Sequence, residues 1–239
     1  MSSAATPTDK PGALTGSSAS AGNGARSDMA PPSLRVSDVT KSFRHGFWPV
    51  GARVAVLQGA SLEVRPGELV GLVGENGSGK STLMQIIVGL LKRDGGNVQL
   101  HGALGYCPQL PELWQKLTVA EHLRMFAAAY RLDEAAAKSS TDRLLEELGF
   151  RRYLDYRVEA LSGGTRQKLN LALALLHEPK VVLLDEPYSG FDWETYLRFW
   201  EMSAARRADG MAILIVSHLL GERERLESSA PWLPAPPST

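Results

Sequence analysis

Residues Leu69 to Leu90 read LVGLVGENGSGKSTLMQIIVGL, and the fold turns on this stretch. An apolar run, Leu69 to Val73, meets a turn of the form G-x-x-x-x-G-K-S at Gly74, Gly79, Lys80 and Ser81, and a helical pattern follows. Gly74, Gly77 and Gly79 lack a Cβ, so the backbone can reach positive φ and set its N–H groups against phosphate oxygens. The following helix turns its positive N-terminal end toward the same anion, Lys80 adds an ammonium, and the Ser81 hydroxyl suits magnesium. Leu83, Ile86, Ile87 and Leu90 fall at i, i+3, i+4 and i+7, which predicts one apolar face laid on a sheet. Strand, loop and helix in that order predict a nucleotide-phosphate site rather than a bare turn.

The whole chain narrows what such a site could serve. Its 239 residues allow one domain, or one domain with a small subdomain and tails. Lys plus Arg and Asp plus Glu balance at 26 each, so no general polyanion-binding surface is implied and no nucleic-acid partner is expected. A lone cysteine, Cys107, excludes an internal disulfide and fits a reducing compartment. The longest apolar runs, such as Leu171 to Leu176, are six residues. A membrane-spanning helix needs about 20, so this chain is not expected to cross a bilayer.

Upstream of the loop, 25 of the first 33 residues are Ser, Ala, Gly, Thr or Pro. That composition predicts a disordered tail over 1–33 rather than a signal peptide. Leu34 to Val39, Val54 to Leu57, Ala60 to Val64 and Asn97 to Leu100 read as short strands of a small antiparallel sheet, with Pro66-Gly67 turning into the loop strand. Phe43, Phe47 and Trp48 lie in the first connection, where a ring could stack on a purine or cover the core of that sheet.

Downstream, Leu104 to Cys107 predicts a strand ending at Pro108-Gln109. Thr118 with Glu121 makes a capping box for a helix striped by Val119, Leu123, Phe126 and Tyr130. A second helix runs through Leu144, Leu145 and Leu148 to Gly149. In LSGGTRQKLNLALALLHEP, Ser162 is a natural N-cap and Gly163-Gly164 leave the first N–H groups uncovered, which fits a second anion site or a capped core helix. Val181 to Leu184 predicts a buried strand delivering Asp185 and Glu186 at its C-terminal edge, where open parallel sheets bind ligands. Asp185 can hold magnesium, and Glu186 can deprotonate an attacking water. Asp192 caps a helix carrying Leu197, Trp200 and Ala204 and ending at Gly210. A last strand, Met211 to Val216, reaches Ser217-His218, and the residues after Ser228 are Pro-rich.

In these motifs the sequence resembles the nucleotide-binding subunits of ATP-binding cassette transporters, over roughly Leu34 to Leu220. GENGSGKST looks like that family's Walker A loop, Gln109 in GYCPQ its Q-loop, LSGGTRQK its signature, VVLLDEP its Walker B, SGFD its D-loop and His218 its switch histidine. The resemblance implies an α/β fold: a P-loop NTPase core with a mainly parallel sheet, a small antiparallel β subdomain, and a helical signature subdomain at about 111–176. It places the ATPase domain at 34–228 and a Pro-rich tail at 229–239. ATP phosphates would be held by Gly74, Glu75, Asn76, Gly77, Ser78, Gly79, Lys80, Ser81 and Thr82, with Mg2+ on Ser81, Gln109 and Asp185. Glu186, His218 and Gln109 would carry catalysis, and Phe43 in KSF best matches the adenine-stacking ring.

The resemblance further implies two such chains, identical or related, sandwiching two ATP molecules head to tail. Each phosphate loop would then face Ser162, Gly163 and Gly164 of the other chain. An integral membrane transporter subunit would dock on the helical subdomain at the cytoplasmic face of the membrane. GYCPQ, LTVAEHL and the SGGTRQK to SGFD block look most like ATPases of type-2 drug and polymer exporters, with an importer ATPase or a non-transport regulatory protein as alternatives. A DNA-repair ATPase of the same superfamily would need a long coiled-coil insertion between Gln109 and Ser162, where only 52 residues lie. Members of the family normally continue with further strands and helices after the switch histidine. Here 21 residues follow His218, so the core is expected to lack its last edge elements and hydrolysis could be impaired.

Overall fold

A computed structural model describes residues 16–17, 31–45, 52–74 and 77–216. Strands β1 (Gly16–Ser17), β4 (Leu69–Leu72), β6 (Leu104–Cys107), β7 (Val181–Asp185) and β8 (Ala212–Val216) form a five-stranded sheet in the order β1-β4-β8-β7-β6. Four of them run parallel, and β1 pairs antiparallel with β4 at its edge. Strands β2 (Leu34–His45), β3 (Ala52–Val64) and β5 (Gly95–Leu100) make a separate antiparallel sheet in the order β3-β2-β5. The mixed α/β architecture with a parallel main sheet and a small antiparallel one is therefore as expected.

The helices are α1 (Lys80–Ile87), α2 (Val119–Ala129), α3 (Glu134–Glu147), α4 (Gly163–Leu175) and α5 (Trp193–Ala208). The two-residue period of the central strands sorts their side chains into two apolar layers. Val181 and Leu183 of β7, with Ala212, Leu214 and Val216 of β8, pack with α1 and the antiparallel sheet. Val182, Leu184, Ile213 and Ile215 face the other way, into the layer of α2 to α5. Both faces are covered, which is why these strands are apolar throughout. Burying one Leu or Ile side chain contributes about 2 kcal/mol, so a charge at Leu183 would disrupt the first layer.

Several local expectations are corrected. The segments Leu34 to Val39, Val54 to Leu57 and Ala60 to Val64 belong to two long strands instead of three short ones, because register shifts between Val36 and Val39 and between Lys41 and Ser42 absorb the breaks in pattern. Leu90 does not join the α1 face and is 73% exposed. The helix has already ended at Val88, and Gly89 follows with φ 81°. On α5 the buried face is Thr195, Phe199, Met202 and Ser203, with Ala204 exposed. A shift of one position rotates a helical stripe by about 100°, and the bulky Phe199 takes the core side.

The capping box of α2 is present, with Thr118 Oγ1 accepting from the Glu121 N–H at 3.1 Å and Glu121 Oε2 accepting from the Thr118 N–H at 2.7 Å. Its stripe is buried at Val119 and Leu123, while Tyr130 sits past the helix end and is 38% exposed. Asp133 caps α3 through the Ala136 N–H, and Gly149 ends that helix region with φ 63°. Among the described residues no helix is long and apolar enough to cross a membrane.

Candidate functional site

Alternation along β7 decides where its acidic end lies. Val181 and Leu183 share the α1 layer, so Asp185, two residues on, falls on the side of the phosphate loop. It is buried, and its negative charge reaches three neighbours. It opposes the effect of burial on Lys80, whose ammonium is held below the ordinary lysine range chiefly by desolvation. On Tyr106 burial dominates and the Asp185 charge adds to it, pushing the phenol up to about 12. The same two causes in the same order raise the Cys107 thiol, which stays protonated.

The described part of the loop departs from the expectation at one glycine. Gly77 and Gly79 take φ 80° and 93°; Gly74 is not among the positive-φ residues, so two of the three glycines use that freedom. Lys80 opens α1 and folds back so that Nζ donates to the Gly74 carbonyl at 2.6 Å and reaches Ser78 Oγ at 3.5 Å. The ammonium is thus held between the Gly74 carbonyl and the Ser78 hydroxyl. Ser81 is exposed and Thr82 half-buried in the first turn. Glu75 and Asn76 lie outside the described residues, as do Ser217, His218, Phe47 and Trp48.

Gln109 and Glu186 are 77 positions apart, yet the pairing of β6 with β7 brings them together, and Gln109 Nε2 donates to Glu186 Oε2 at 2.9 Å. Glu186 is half-buried and takes φ 48°, a left-handed conformation that costs a non-glycine residue about 1 kcal/mol or more. Its N–H caps the end of β8 by donating to the Val216 carbonyl at 3.1 Å. The strained turn therefore fixes the carboxylate just past the sheet edge.

Ser162 caps α4, its Oγ accepting from the Thr165 N–H at 3.2 Å, and both Ser162 and Gly163 are exposed. Phe43 is 41% exposed, with Lys41 Nζ 5.4 Å from its ring centroid, so the ring lies at the surface rather than over the core of its sheet. It pairs with Val54, and further along β3 the side chains of Val56 and Leu57 abut Gly79, which sets that hairpin against the phosphate loop.

One buried polar group was not singled out from the sequence. Asn170 and Gln167 on α4 are 6% and 3% exposed and meet Cys107 at the end of β6. The signal is present in hindsight: Asn170 is the one polar residue in LNLALALL, Leu169 to Leu176.

The family model described as "ABC transporter" matches residues 57–189. The chain is 38% identical over 183 residues to human ATP-binding cassette sub-family A member 10, covering 70% of this chain and 12% of that protein. It is 36% identical over 183 residues to the Nod factor export ATP-binding protein I of Burkholderia pseudomallei, covering 72% of this chain and 60% of the relative. The alignments thus span between about an eighth and three fifths of these two relatives. Among solved structures, an ATP-binding subunit of an ABC transporter superposes with a TM-score of 0.72 at 32% identity, covering 81% of this chain and 82% of that one. The chain belongs to the ABC transporter family, as one of its nucleotide-binding ATPase subunits.

Proposed function

We propose that ATP hydrolysis by this subunit powers export through an integral membrane partner, by closing and reopening a head-to-tail dimer at the cytoplasmic face of the membrane. The observation that carries the catalytic part is the meeting of Gln109 and Glu186 at the sheet edge where Asp185 and the Lys80 loop also lie. The loop N–H groups and Lys80 hold the phosphates of ATP, the Phe43 ring stacks on adenine, and Glu186 accepts the proton of the attacking water. Ser81, Gln109 and Asp185 offer only oxygen donors to a metal, the set that suits magnesium, which would offset the phosphate charge. His218 is assigned to the γ-phosphate by its place in the family pattern alone.

The shared-site reading is supported by the exposure of Ser162 and Gly163 at the α4 N-terminus, where a second chain could present its nucleotide. Export is supported by the sequence blocks around Gln109 and Ser162 and by the name of the Nod factor export relative. Co-purification with the membrane subunit, followed by reconstitution into vesicles with this chain outside, tests the whole reading. ATP-driven accumulation of substrate inside those vesicles is expected. ATP-driven depletion would make the protein an importer ATPase, and no coupling would leave it outside transport.

A further inference from the structure

We propose that Asn170 is a positioning residue for hydrolysis, tying the helix that begins at Ser162 to the stalk of Gln109. Its Nδ2 donates to the Pro108 carbonyl at 2.8 Å, one residue before Gln109, whose own amide reaches Glu186. Further contacts at 3.2 Å to Cys107 Sγ and 3.4 Å to Gln167 Oε1 hold the amide in place. The orientation is dictated by chemistry, since the opposite one would set Oδ1 against the Pro108 oxygen.

The short Asn side chain can reach because α4 lies directly on β6. A Cβ on Gly105 would stand 2.1 Å from the Ala174 carbonyl, so only glycine permits this approach. At 6% exposure Asn170 is held in the interior, and removing its amide would release the half-buried Pro108 carbonyl from α4, a loss felt at the neighbouring Gln109. A continuous bonded path therefore runs from α4 through Asn170, Pro108 and Gln109 to Glu186.

This inference rests on the reading of Gln109 and Glu186 given above, and the experiment separates the two. The full chain is assayed for ATP hydrolysis as Asn170→Leu, Gln109→Ala and the double variant, with Asn170→Ser as a smaller replacement that folds if Leu does not. Asn170→Leu is expected to lower kcat about tenfold with KM for ATP within about twofold, and to cost nothing further in the Gln109→Ala background. A wild-type kcat for Gln109→Ala would overturn both the reading and the inference. A lowered kcat for Gln109→Ala, combined with losses that multiply in the double variant or with an unaltered Asn170→Leu enzyme, would overturn the inference alone.

Discussion

The carbonyl oxygen of Gly190 lies where a side chain on Gly164 would have to begin, 2.2 Å from the ideal Cβ position. The signature segment and the turn after Glu186 are thus in backbone contact, and a methyl group at Gly164 must push that turn away. Among the described residues, nothing beyond its chain neighbours and its own helix lies within 4 Å of a Cβ on Gly163. Gly164→Ala is expected to destabilise the fold by about 1–3 kcal/mol, and Gly163→Ala to leave it unaltered. Urea unfolding of both variants checks this, equal midpoints being the contrary result.

On the proposed reading, Lys80→Ala removes a charge-assisted contact to the outer phosphates while leaving the backbone cradle in place. Contacts of that kind contribute about 1.5–3 kcal/mol. ATP affinity should therefore fall about 10- to 150-fold, measured by calorimetry on the folded variant. Unchanged affinity would remove Lys80 from the binding role.

Glu186→Gln keeps the side chain's shape and loses its basicity, so ATP should bind, hydrolysis should fall about 10²- to 10⁴-fold, and an ATP-dependent dimer should accumulate. Ser162→Arg should instead block closure while ATP remains bound to monomers. Light scattering with ATP and magnesium reads both. A Glu186→Gln chain that stays monomeric at high concentration, alone and with its membrane partner, would refute the head-to-tail model.

His177 stacks on Tyr130 with ring centroids 3.8 Å apart, and its Nε2 meets the Leu104 carbonyl at 3.1 Å. Burial holds the imidazole below its ordinary range, and the Leu104 carbonyl works against that shift. The unfolded chain therefore binds this proton more readily than the folded one. The contribution to stability is complete above the ordinary histidine pKa of about 6.5 and is lost as pH falls from there. Tm should drop on acidification from about pH 7.5 to about pH 5.5, and drop less in His177→Phe, which keeps the stacking. Parallel Tm profiles for the two proteins would assign the acid sensitivity elsewhere.

The parts of the site that follow from local chemistry were legible in the sequence. A glycine-rich turn between an apolar strand and a helix is a short-range pattern, and so is Ser162 ahead of an apolar helix. Leu90 and Ala204 depart from expectation because periodicity alone does not say where a helix stops or which of two neighbouring stripes meets the core. Gly89 settles the first and the bulk of Phe199 the second. The strand breaks look like turns in the sequence because a bulge and a turn use the same residue types. Asn170 is not legible in the sequence, since its meaning depends on Pro108, 62 positions away, and only the packing of α4 on β6 brings them together.

The register that sets Leu72 and Asp185 opposite Val216 also makes the site sensitive to chain length. Deleting one residue within β7 would slide Asp185 into the position of Leu184 and turn its carboxylate into the apolar layer beside Ile215, with Glu186 taking the vacated place. No change of side-chain identity elsewhere could repair that. The exposed turn around Arg131 and Asp133, joining α2 to α3, carries no such alignment and can lengthen or shorten without moving the carboxylates. A residue inserted at this turn is therefore expected to leave the fold intact, whereas one inserted in a central strand displaces the carboxylates.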